Sequence, residues 1–93
     1  MASSQRRLAA VVFTDIAQFT SLAQRDEAAA LDLVRQQAEI VEPLATEHRG
    51  HIVKSLGDGY LLEFASALDA VQFAQAVQNR LKEDGPVLRI GIH

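Results

Sequence analysis

The sequence predicts an α+β domain: a ferredoxin-like or palm-type βαββαβ layer, an antiparallel sheet with helices on one face and two helices in the first connection. Three observations carry this. Leu8–Thr14 and Val87–His93 are short apolar runs near the two ends, too short for stable helices on their own. Ile52–Phe64 holds two more such runs around Gly57-Asp58-Gly59, a composition suited to a tight β-hairpin. The stretches between them place apolar residues at helical spacing.

In order, Leu8–Thr14 is almost continuously apolar and reads as a strand covered on both faces or central in its sheet, closed by Asp15. Ile16, Phe19, Leu22 and Ala23 keep helical spacing, so the strand is expected to turn directly into a short helix starting beside Asp15. Free amides at such a start can hold phosphate oxygens. Asp26 is the expected N-cap of a long helix running to about His48, with Leu31, Val34, Ala38, Val41 and Ala45 as its stripe and Leu44 beside them. Pro43 falls inside it, roughly opposite the stripe, and predicts a mild bend convex to solvent. Arg49-Gly50 supplies the stop, with Gly50 as C′.

In the hairpin, glycine on either side of Asp58 permits positive φ and presents the carboxylate at the tip of a rigid ribbon. Ser66 and Asp69 approximate a capping box. Leu68, Val71, Ala74, Val77 and Leu81 then form one helical face, widened by Ala70 and Phe73. Gly85-Pro86 ends that helix, and Leu88, Ile90 and Ile92 share a face of the last strand. Phe13, Phe19, Phe64 and Phe73 sit at core-type spacings and are expected to pack.

Composition bounds the rest. The chain has 93 residues, enough for one domain at 8–93 behind a polar, flexible leader at 1–7. Apolar residues make up 48% and charged residues 23%, near the globular average. A net charge of −3 argues against nucleic acid as a partner, and Arg6-Arg7 is too short for a basic patch. No cysteine is present, which excludes disulfides and thiolate metal sites. Apolar runs fall far short of the ~20 residues that span a bilayer, and no signal peptide is visible. A cytoplasmic domain is the expectation.

Two carboxylates at strand ends, Asp15 and Asp58, could converge at one sheet edge and are the raw material of a divalent-metal site. Singly, Asp15 reads as a helix cap and Asp58 as a turn residue. His48-x-x-His51 straddles Gly50 and has no third ligand, which argues against zinc.

Three blocks go further: Phe13-Thr14-Asp15-Ile16-Ala17-Gln18-Phe19-Thr20, Val53-Lys54-Ser55-Leu56-Gly57-Asp58-Gly59 and Leu88-Arg89-Ile90-Gly91-Ile92-His93. In this order and at these separations, they resemble the class III adenylate/guanylate cyclase catalytic domain. The resemblance covers about residues 8–93. It implies that Asp15 and Asp58 hold two Mg²⁺ or Mn²⁺ ions, with the Ile16 carbonyl completing the shell. It further implies that Ala17, Gln18, Phe19 and Thr20 cradle the triphosphate, that Arg89 contacts it, and that Lys54 reads the base.

A lysine at that position resembles the adenylate enzymes, so the implied partner is ATP and the implied reaction yields 3′,5′-cyclic AMP and pyrophosphate. The family's sites lie between two subunits, which implies a homodimer in which Lys54 serves the neighbouring site. Gln18 departs from the small residue, usually glycine, of the family's phosphate loop. The family's second base-reading residue, its asparagine and its transition-state arginine lie beyond His93. On this reading the chain is the first half of a cyclase domain. It is expected to be inactive or weakly active alone, and to form a dimer, a non-native or swapped one included, through apolar surface the other half would cover. The rival reading is a non-catalytic ferredoxin-like module for nucleotide binding or self-association.

Overall fold

The computed structural model describes residues 9–82 and 85–93; the leader at 1–7 and Leu8, placed by the sequence at the start of the first strand, lie outside them. The elements are β1 (Ala10–Ile16), α1 (Phe19–Arg25), α2 (Glu27–Glu47), β2 (His51–Ser55), β3 (Gly59–Phe64), α3 (Ala67–Leu81) and β4 (Leu88–Ile92). All pairings are antiparallel and the sheet runs β2-β3-β1-β4. This is the expected βαββαβ layer with two helices in its first connection.

Alternation along β1 defines the two faces. Ala10, Val12, Thr14 and Ile16 are buried, while Phe13 points the other way. Register carries the division across the sheet: Val12 lies beside Leu62 and Ile92, and Phe13 beside Leu61 and Gly91. Helices α2 and α3 cover the first face, and α1 rests on α2. The core there is built from Val12, Ile16, Val41, Leu44, Leu62, Phe64, Phe73 and Val77. Phe13 is 38% exposed on the uncovered face, stacked on His93, so it is not the core residue its spacing suggested.

Caps form where the sequence places them. The Asp26 carboxylate accepts from the Ala29 N–H at 3.0 Å, and the Ser66 hydroxyl accepts from the Asp69 N–H at 3.2 Å. Pro43 lies inside α2 on its exposed side. The α2 terminus differs from expectation in one residue. Arg49, not Gly50, takes the left-handed conformation, with φ 64°. The Gly50 N–H then bonds the Ala45 carbonyl at 2.7 Å and the Arg49 N–H bonds Thr46 at 3.2 Å, a Schellman closure with arginine at C′. Gly50 is needed for space instead: a Cβ there would come 2.6 Å from the Phe64 ring.

Helix α3 is rotated from the predicted face. Ala70, Phe73 and Val77 are its buried residues, while Leu68 is 65% and Val71 43% exposed. Leu31 of the expected α2 stripe is likewise 60% exposed. Both helices carry more apolar residues than one sheet face can cover, and the sheet selects those directly above it. No helix among the described residues is long and apolar enough to cross a membrane.

Tyr60 joins β3 to α2. Its hydroxyl donates to the Glu42 carboxylate at 2.9 Å. Burial, then that hydrogen bond and the carboxylate charge, push its pKa up to about 12. A raised phenol pKa means the fold favours the protonated form. The resulting stabilisation is complete below about pH 10, the unfolded value, and is lost as pH rises through about 12. ¹³C NMR of the chain's one tyrosine should show this late titration, with unfolding midpoints falling over the same window. A midpoint near pH 10 would contradict the buried contact.

Candidate functional site

The two acidic residues come together through strand register. Asp15 stays within β1, opposite Gly59 of β3 on one side and Arg89 of β4 on the other. Asp58 immediately precedes Gly59, and its carbonyl accepts the Ile16 N–H at 3.0 Å. Asp15 on β1 and Asp58 in the turn leading into β3 therefore sit at one end of the sheet. The strand does not turn into helix at Ile16 as the spacing suggested. Ile16 is a buried strand residue, Ala17 still donates its N–H to Val87 at 2.9 Å, and α1 begins only at Phe19. Pairing with β4 extends β1 past the point where helical spacing begins.

The turn carrying Asp58 is closed by the Leu56 N–H donating to the Gly59 carbonyl at 2.8 Å and the Asp58 N–H donating to the Leu56 carbonyl at 3.1 Å. The Asp58 N–H is thus turned away from Ile16, leaving the Ile16 carbonyl without its return bond from this turn. The two glycines do different work, not the same work as their symmetry suggested. Gly57 has φ 86° with open space around it. Gly59 lacks positive φ, but a Cβ there would lie 1.9 Å from the Thr14 carbonyl oxygen.

Arg89 reaches the same spot. Its Nε donates to Asp15 Oδ1 at 2.8 Å, an ion pair with both side chains partly exposed. Gln18 occupies the left-handed region, φ 58° and ψ 29°, and caps α1 without a side-chain hydrogen bond. That conformation costs a residue with a Cβ about 1 kcal/mol, a backbone reason for glycine at this place. Phe19 packs on the core, and Thr20 is exposed in the first turn of α1. The Ala17 amide is already committed to the sheet.

Lys54 is not brought to this cluster. It lies on β2, opposite Leu61 and just past a register irregularity at Val53. One strand, β3, lies between it and β1, so two ordinary strand spacings, about 10 Å, separate them. It shares the open face with Phe13 and Leu61. Among the described residues no three His, Cys, Asp or Glu side chains converge as a metal cluster, and His48 and His51 gain no third ligand.

Sequence reasoning passed over Gln37 and Thr14. Both are buried, and the Thr14 hydroxyl donates to Gln37 Oε1 at 2.8 Å while Gln37 Nε2 donates to the Asp58 carbonyl at 3.1 Å. The available signal was a glutamine three residues after Val34 and four before Val41, inside an apolar stripe.

Known proteins of this architecture define the class. The family model described as the adenylate and guanylate cyclase catalytic domain matches residues 1–93. The chain belongs to that family, as its three sequence blocks implied.

Among relatives, a Rhizobium meliloti (strain 1021) protein named for an adenylate cyclase is 41% identical over 100 residues, covering 98% of this chain and 17% of its own length. Similar solved structures include adenylate cyclases from Trypanosoma brucei in their monomeric state, with TM-score 0.79 and 22% identity over 90% of this chain and 54% of theirs. The guanylyl cyclase Cya2 gives TM-score 0.80 and 23% identity, covering 95% and 54%. The guanylate cyclase domain of RhGC from Catenaria anguillulae, solved with GTP, gives 0.76 and 22%, covering 89% and 53%. The chain thus spans about half the length of these solved structures.

Proposed function

We propose that this chain carries the metal and triphosphate half of an adenylate cyclase site. The observation that supports it is the register: Asp15 lies opposite Gly59, with Asp58 next along, so the backbones of the two aspartates adjoin at one end of the sheet. The donor set suits Mg²⁺ or Mn²⁺, being all hard oxygen: two carboxylates and an Ile16 carbonyl lacking its return bond. Such ions, when bound, lower the pKa of an attacking hydroxyl and offset charge on a departing pyrophosphate.

In the intact domain the ribose 3′-oxygen of ATP would bond to the α-phosphorus as the bond to the bridging oxygen of the β-phosphate breaks. Cyclic AMP and pyrophosphate result, and the hydroxyl proton goes to solvent. Arg89 would move from Asp15 to the triphosphate, where its planar fork suits phosphate oxygens. Thr20 and the backbone of Gln18 and Phe19 would line the phosphate approach. Lys54 would donate to adenine, and its distance from Asp15 fits a place in the site of a second copy.

Calorimetric titration of this chain with ATP and Mn²⁺ tests the reading. Binding should require Mn²⁺, exceed that of GTP, and weaken at least about tenfold, roughly 1.4 kcal/mol, in Asp15→Ala and in Asp58→Ala. Binding that neither substitution alters, or no binding at all, would overturn it.

A further inference from the structure

We propose that Gln37 is a positioning residue that locks the Asp58 turn to β1 from within the core. The inference rests on the reading of Asp15 and Asp58 as metal ligands. Asp58 belongs to a short turn, so the direction of its carboxylate depends on how its backbone is held. Its carbonyl accepts two hydrogen bonds, from the Ile16 N–H at 3.0 Å and from Gln37 Nε2 at 3.1 Å. Those occupy both lone pairs and fix the peptide plane leading into Gly59. A carbonyl can only accept, so the Gln37 amide must present nitrogen to Asp58 and oxygen to the Thr14 hydroxyl, 2.8 Å away. Both side chains are buried, and the arrangement joins α2, β1 and the hairpin turn through one amide.

Packing alone does not call for these residue types. Val at 14 and Met at 37 have nearly the same shapes, and replacing both members of a buried hydrogen-bonded pair by apolar isosteres can be close to neutral. What the apolar pair lacks is the donor to the Asp58 carbonyl. A structural role and a positioning role therefore separate in the double variant.

The experiment compares wild type, Thr14→Val, Gln37→Met and Thr14→Val/Gln37→Met in the full 93-residue chain, reading urea unfolding midpoints and the affinity for Mn²⁺ alone. Gln37→Met should lower the midpoint by stranding the Thr14 hydroxyl, and the double variant should recover it. Mn²⁺ affinity should fall about tenfold in Gln37→Met and stay low in the double variant, as expected when a group supporting a ligand is lost. Recovery of affinity together with the midpoint would overturn the proposal.

Backbone amide exchange at Ile16, the other donor to the Asp58 carbonyl, reads the tether without metal. It should quicken in the double variant, and unchanged protection would overturn the proposal. Thr14→Val retains the Gln37 donor, so it should lose less Mn²⁺ affinity than Gln37→Met; an equal loss would count against the tether. If wild-type Mn²⁺ binding proves independent of Asp15 and Asp58, the metal reading fails, and Ile16 exchange still decides whether Gln37 holds the turn.

Discussion

Gly59→Ala is expected to destabilise the fold by about 3 kcal/mol or more. The added carbon would sit 1.9 Å from the Thr14 carbonyl oxygen, and that obstacle is backbone, not a yielding side chain. Relief requires β3 to move away from β1, breaking pairing at the point where Asp15 and Asp58 adjoin. Gly57→Ala should be milder, about 1–2 kcal/mol, because it meets nothing and bears only the left-handed backbone cost. Urea denaturation of both variants measures the contrast. Equal, small losses would mean that the two strands are farther apart than described.

Phe73→Ala should cost about 3–5 kcal/mol, a large share of the roughly 5–10 kcal/mol that holds a domain of this size. Phe73 is wholly buried, and its ring lies 5.3 Å from that of Phe64, tilted by 42°. Leu68→Ala, on the exposed side of the same helix, should change stability by less than about 0.5 kcal/mol. Chemical unfolding of the pair distinguishes the two sides of α3. A larger loss at Leu68 would restore the face that periodicity alone suggested.

That last contrast marks what the sequence could and could not disclose. Element order, the Asp26 and Ser66 caps and the exposed Pro43 were readable because each depends on neighbours within a turn. Which side of α3 turns inward was not, because Leu68 and Val71 are as apolar as Phe73. Only the lie of the helix over β1, β3 and β4 decides among them. The separate duties of Gly57 and Gly59 were hidden for a related reason: one answers to its own dihedral, the other to a strand more than forty positions earlier.

At the candidate site, motif blocks singled out Asp15, Asp58 and Arg89, and register accounts for the nearness of their backbones. The Arg89 contact with Asp15 spans 74 positions and no local pattern announces it. Gln37 was overlooked because a single polar residue in an apolar stripe looks like an interruption until its partners are known.

Tyr60 has an optical consequence. The chain has one tyrosine and no tryptophan, so its near-ultraviolet absorption above the phenylalanine bands and its intrinsic emission arise from one phenol. That phenol is two positions from Asp58 and is hydrogen-bonded to a carboxylate of α2. Emission from this ring is therefore a label-free reporter of the seam between the long helix and the hairpin, with no competing chromophore to subtract.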